Sequence, residues 1–593
     1  MRVSLLSFRG LVAVAAVCLA FSLVGSANAQ ITFIGSVNPS DPGDNDLETT
    51  LEVGEGNDAT EVDPRGTVIV NNDSLEFDEA RIGNDEGFFG RMFVSGIAGR
   101  FNVESSGANG DPALQVGRDG NGYLEISGEA ILEMEDDAGD AVIGDRATSV
   151  GRMVVTDPFT FVSIGENFQI GNEGIGELEV LSGAIVRTRD STGAAVSIGV
   201  AANGVGSVWV DGAGSVLQPA DDLTVGSLGT ATLRISNGGL VDADSSANLT
   251  TVGVLGRIEL DGGTLAVDNL TSSGVIAGHG LVRGDGAGTG VVTSGVTARI
   301  EAGSGQLLQF NDDVVNQGSI NIEGGEIEFL DSLANNAIGA STAPGRITLE
   351  DGRVRFTQGL TNNGVITAAE GASDLHGAIS NEATGAVTVA RDAVATFHDP
   401  FTDNGGTLTI LTGATGLFLA DLTFTGNSTL ILELDEEASA GSPALSVSGT
   451  ADLAGELRVG LPDGFTPEPG QTFTLLQASD VTGAFIPPLL PNTENGLELE
   501  LESTSTSVFL NVLAPSLPGD FNGDGSVDAA DYTVWRDGLG TEFVQNDYNV
   551  WAANFGSTSA TSSGGDSGTP VPEPSGLLLI ALGVPAFLAC RRF

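Results

Sequence analysis

An Ile/Val-Gly pair returns along the first half of the chain with a period near 27 residues, and that period restricts the fold more than any other feature. It stands at Val53-Gly54, Ile82-Gly83, Val116-Gly117, Ile143-Gly144, Ile170-Gly171, Ile198-Gly199, Val225-Gly226 and Val252-Gly253, with glycine spacings of 29, 34, 27, 27, 28, 27 and 27. Within each period a Gly-rich turn leads into a second strand-like stretch, such as Tyr123–Gly128, Glu177–Val180, Ser207–Gly212, Thr232–Ile235 or Arg257–Leu260. A third often follows, as in Ala130–Met134. Apolar and polar residues alternate in these stretches, the period of a half-buried strand. A unit of three short strands cannot bury its inward side chains alone, so such units stack and share one core. The expected fold is all-β: a right-handed parallel β-helix with three short strands per rung of about 27 residues. A propeller blade would need about 40 residues and four strands.

Composition agrees. Gly supplies 85 of 593 residues, without the every-third-residue spacing of collagen, and 41% of the chain is hydrophobic, too much for a disordered one. The charge balance is 23 basic against 79 acidic residues, and every basic residue is Arg. Such a surface repels nucleic acid and anionic lipid, which need a basic patch, and attracts divalent cations. Cys18 and Cys590 both lie in terminal segments that read as targeting signals. The body between them therefore offers no disulfide, thiolate metal site or cysteine nucleophile.

At the start, Arg2 and Arg9 precede an apolar run from Leu11 to Val24, and Ala27-Asn28-Ala29 forms a small-residue cleavage site before Gln30. Residues 1–29 read as a secretory signal peptide. At the other end, 557–570 is a polar flexible linker. Pro572-Glu573-Pro574, an apolar run from Leu577 to Ala589, and Arg591-Arg592 follow it. Residues 571–593 resemble a PEP-CTERM sorting signal. The resemblance implies an exosortase-type sorting enzyme as partner, secretion across the inner membrane, and residence at the envelope surface or in the extracellular matrix. Membrane contact would come only through this tail, its arginines staying cytoplasmic. A second tripeptide, Pro467-Glu468-Pro469, lacks that context and reads as a turn.

Residues 30–270 carry the regular repeats, and the stretch from Gly204 to Ser215 resembles the repeat shared by autotransporter passengers and PEP-CTERM proteins. That resemblance implies a surface stalk or adhesin-like body. From about Gly274 the register loosens, and 271–440 reads as irregular rungs with Asn-containing turns at Asn316, Asn336, Asn363, Asn381 and Asn404. Residues 441–514 have longer strands and form a closing β region, either a cap on the helix or a small sandwich.

The one local motif with chemistry runs from Asp520 to Asp531. Asp520, Asn522, Asp524, Asp528 and Asp531 place side-chain oxygens at loop positions 1, 3, 5, 9 and 12. Ser526 can offer its backbone carbonyl at position 7, and Gly525 sits at position 6, where the turn requires it. Hard oxygen donors on a flexible loop suit calcium. A helix is expected from Ala529 through Leu539, anchored by Tyr532, Val534 and Trp535. DYTVWRDGLG at 531–540 returns as DYNVWAANFG at 547–556, so 517–556 reads as a separate module. It resembles a dockerin type I module, which carries two loop–helix units. The second loop here, 541–546, lacks the ligand string. One calcium ion is therefore expected, and a cohesin-like partner is doubtful.

No enzyme signature stands out. His279 in Gly278-His279-Gly280 reads as a turn histidine, and His376 and His398 lack partners at metal-ligand spacing. Carboxylates are abundant enough that some will be close by chance. The expected function is that of a structural or adhesin-like surface protein, without catalytic activity, that contacts exopolysaccharide or matrix components. The alternative is a polysaccharide-binding or polysaccharide-degrading β-helix, against which stands the scarcity of aromatics: Tyr123 and Trp209 are the only Tyr and Trp between Gln30 and Pro515.

Overall fold

The computed structural model describes residues 30–38, 50–56, 65–104, 111–134, 139–189, 195–244, 248–284, 290–336, 344–434, 442–461, 465–485, 488–491, 497–513 and 517–558. The expected signal segment with Ala27 and Ala29, and the sorting segment with Pro572, Glu573 and Pro574, lie outside these residues. Among the described residues no helix is long and apolar enough to cross a membrane. Contacts divide the chain into two compact units, one built of strands and ending at Leu513, the other holding two helices.

The first unit is a run of short strands in which each strand pairs, almost throughout, with the third one along. Val205–Asp211, for example, lies parallel between Ile175–Leu181 and Thr230–Ser236. Pairing at that interval means the chain passes through three strands and returns to its starting ladder one layer on, a β-helix-like connectivity. Inward and outward residues alternate along each strand, and the core is a set of columns of Val, Ile, Leu and Phe. Burying each such side chain is worth roughly 1.5–3 kcal/mol, so the stacked turns are stabilised continuously along the coil. Phe310, Phe329 and Phe356 stack in successive turns at 5.5 and 6.1 Å between ring centroids.

The Ile/Val of each repeated pair ends a strand of one ladder, and the glycine turns the chain toward the next. Gly171 has φ +71°, and a Cβ there would lie 2.3 Å from the Val205 carbonyl oxygen. Only glycine takes that conformation without strain. Gly253, the last of the series, does not adopt positive φ, and it marks the end of the regular turns.

Both ends of the coil depart from parallel pairing. Gln30–Gly35 runs antiparallel to Arg65–Asn71, and Val37–Asn38 antiparallel to Thr50–Val53. At the far end Leu445–Leu453 continues two ladders at once, pairing parallel with Thr415–Phe418 and Leu422–Phe424. The closing region is thus continuous with the coil through this strand. Thr472–Gly483 then pairs antiparallel with Ser507–Leu513.

Candidate metal centres

In the second unit, α1 (Ala529–Gly538) and α2 (Gln545–Asn554) carry the two copies of the Tyr-x-x-Trp pattern. Tyr532 and Trp535 of α1 interleave with Tyr548 and Trp551 of α2, with ring centroids 5.1–6.2 Å apart. Trp535 is buried and donates from Nε1 to the Val544 carbonyl at 3.0 Å. α1 ends at Gly538, one residue before the expected Leu539.

The loop before α1 gathers the predicted oxygens in one place. Asp520 Oδ1 accepts from the backbone N–H of Gly523 and Asp524, and its Oδ2 from Gly525 at 2.7 Å. Gly525 turns the chain with φ +83°. Asn522 Oδ1 accepts from the Asp524 amide, and Asp524 Oδ1 from the Ser526 amide. Asp528 caps α1, accepting from Ala530 N–H. Asp531 is fully buried; Oδ1 accepts from Phe521 and Asn522 N–H and Oδ2 from Asp528 N–H. Its carboxyl also lies within hydrogen-bond reach of Asp520. Burial pushes the Asp531 pKa up, but these donors outweigh it and hold the group below the usual carboxylate range. Asp531 is therefore ionised at neutral pH.

This donor set fits calcium. Four carboxylates and one amide oxygen share a single loop, two of the carboxylates meet, and no Arg is among their hydrogen-bond partners there. Asp520, Asn522, Asp524, Asp528, Asp531 and the Ser526 carbonyl would hold the ion, and the ion would neutralise their repulsion.

A second cluster escaped the sequence reading. Asp374, His376 and His398 each present a donor atom, all within 4.8 Å of one another. Asp374 Oδ1 lies 2.8 Å from His398 Nε2, and the imidazoles of His376 and His398 stack at 3.8 Å and 14°. Asp374 is held low by His398 and Arg353, against the opposing effect of burial. Burial, the neighbouring His398 and Arg355 push His376 below its ordinary value. Read for contiguous ligand motifs, 22 residues between two histidines means nothing. In a coil whose local turn is 22 residues, that spacing puts them side by side. His279 joins no such group; it is exposed at a register shift in Val275–Arg283, between two positive-φ glycines.

No family model matches the chain, and no curated protein is significantly similar to it.

Proposed function

We propose that the chain is an exported surface or matrix protein: a right-handed parallel β-helix serving as an adhesin-like stalk, followed by a dockerin-like module that binds one calcium ion. The right hand is the one that crossovers between parallel strands take almost without exception. Export and exosortase sorting rest on the terminal segments, and contact with exopolysaccharide or matrix components rests on the stalk reading. The observation that carries the calcium function is the convergence of Asp520 and Asp531, eleven positions apart, on one loop whose amide groups already orient them.

Calcium titration of the full chain tests it. On a Trp209→Phe background, Trp535 and Trp551 remain as reporters. Micromolar-to-millimolar Ca²⁺ is expected to shift their emission with one tight ion per chain. Asp524→Ala, which removes an exposed carboxylate along with its hydrogen bonds to Ser526 and Asn522, should weaken that site at least on the order of 10-fold. Absence of any response at millimolar Ca²⁺ would sink the site, and two tight ions would assign a second site to 541–546.

One observation favours a polysaccharide-binding reading of the body. A groove of about 560 Å³ on the first turns is lined by Phe89, Phe93, Tyr123 and Val150. Phe93 and Tyr123 lie 5.7 Å apart, enough ring surface for a sugar face. Retention on a glycan panel that disappears in Tyr123→Ala would select this reading.

A further inference from the structure

Asp374 and His376 are alternate residues of the strand Ala372–His376, so both project outward while Ser373 and Leu375 face the core. The next turn is in parallel register, with Leu375 opposite Phe397. The backbone N–H of His398 donates to the Leu375 carbonyl at 2.9 Å, which carries the ladder one residue further and fixes His398 beside His376. Asp374 and His376 are thus held on one strand, and His398 stands one residue past the end of the next turn's strand, Val394–Phe397.

We propose that Asp374, His376 and His398 bind a divalent transition ion of the Zn²⁺ class, bridging two turns of the β body. Two imidazoles and one carboxylate are a borderline donor set; Ca²⁺, which the acidic loop suits, takes oxygen ligands. Zn–N bonds of about 2.0 Å in tetrahedral geometry put donors about 3.3 Å apart. The donors lie from 2.8 Å up to 4.8 Å apart, and the stacked, nearly parallel imidazoles must rotate about their χ angles before their in-plane lone pairs converge on one ion. All three residues are half-exposed, so one coordination position faces solvent, as in sites that take water or an exogenous anion.

The neighbouring charges permit a cation. Arg353 lies 3.4 Å from Asp374, but it also approaches Glu326, and Arg355 approaches both Glu326 and Glu328. Three carboxylates, Glu326, Glu328 and Asp374, thus face two arginines, so the cluster keeps a net negative charge to offer a cation. Asp399, next to His398, adds a further negative charge.

The chain has three histidines, and this makes the test direct. The full chain, carrying ¹³C-labelled histidine, is titrated with Zn²⁺ at high salt with millimolar Ca²⁺ present to occupy the acidic loop. Two imidazole signals should move together and saturate at one Zn²⁺ per chain, with the His279 signal unmoved. Co²⁺ in place of Zn²⁺ should give visible absorption bands. His376→Gln and His398→Gln should each weaken Zn²⁺ binding on the order of 10–100-fold without changing the far-UV spectrum. Zn²⁺ that leaves both signals unmoved would overturn the proposal. So would Zn²⁺ affinity unchanged in the double variant, which would mean the acidic surface alone binds it.

Discussion

The two halves of the β body share one coil and close its turns by different means. In the first half, one inward column reads Val53, Ile82, Val116, Ile143, Ile170, Ile198, Val225 and Val252, each in register with the next. The same column continues, without a break in pairing, as Ser272, Ser294, Asn316, Asn335, Asn362, Asn381 and Asp403. All of these are buried. An apolar column flanked by positive-φ glycines thus gives way to a polar ladder. Asn316 Nδ2 donates to Asn335 Oδ1 at 2.9 Å, Asn335 to Asn362 at 2.7 Å, Asn362 to Asn381 at 2.7 Å, and Asn381 to Asp403 Oδ2 at 2.9 Å. The amides also close their own turns: Asn362 Oδ1 accepts from Gly364 N–H, and its Nδ2 donates to the Gly364 carbonyl. A side chain does in the second half what backbone conformation does in the first.

The largest expected effect tests the glycine-dependent half. A Cβ at Gly151 would sit 1.9 Å from the Val116 carbonyl oxygen and 2.5 Å from the Gly144 nitrogen, both backbone atoms that cannot swing away. Gly151→Ala should cost about 4 kcal/mol or more, measured as loss of soluble yield and of the main unfolding transition. Gly426, in the other half, has nothing within 4 Å of such a Cβ. Gly426→Ala should stay within about 0.5 kcal/mol of the parent. Glycines of the second half such as Gly364, where a Cβ would lie 2.2 Å from the Gly345 carbonyl oxygen, are crowded too, so equal tolerance at Gly151 and Gly426 would mean that backbone crowding does not constrain these turns.

The same contrast explains what the sequence made legible. Where turns depend on glycine after a β-branched residue, the pattern repeats visibly, and the strand assignments at Asn121–Ser127 and Ile131–Met134 follow from it. Where an amide ladder takes over, turn length varies between 19 and 27 residues and the period dissolves. Reading Asn336, Asn363 and Asn404 as the recurring positions missed the ladder by one residue each. In these adjacent pairs the buried members are Asn335, Asn362 and Asp403, because inward orientation, not residue type, decides the column. The acidic loop was legible because its side-chain oxygens fall within one twelve-residue stretch, from Asp520 to Asp531. The histidine pair was not, since only the register of Leu375 with Phe397 brings it together.

A middle-sized effect belongs to the ladder itself. Asn362→Leu keeps the volume and removes every hydrogen bond that Asn362 makes. Asn381 Oδ1 loses the Asn362 donor, and Asn335 Nδ2 keeps only the longer contact to Val365 O at 3.4 Å. Each buried polar group left unpaired costs about 1–3 kcal/mol, so the total should be roughly 2–4 kcal/mol in urea unfolding. A cost below about 1 kcal/mol would show that the amides are incidental and the apolar neighbours carry that half.

The smallest effect lies where the ladder ends, at Asp403. Burial raises its pKa above the ordinary carboxylate value, and the hydrogen bonds from Asn381, Ser428 and the Gly405 and Gly406 amides oppose this only in part. The folded chain therefore binds this proton more tightly than the unfolded chain does. Between the ordinary carboxylate pKa and the raised one, the folded state holds more protons, so this group's contribution to stability falls as pH rises through that window and is worst above it. Asp403→Asn supplies a neutral acceptor of the same shape, still able to receive the Asn381 amide, and extends the ladder by one amide. The variant should be more stable than the parent at pH 7. The two should converge as the pH drops below the raised pKa. Paired thermal melts from pH 4 to pH 8 measure this difference. A gap that widens on acidification would mean Asp403 is ionised by preference in the fold, and that the ladder ends in a charge rather than in a proton-sharing group.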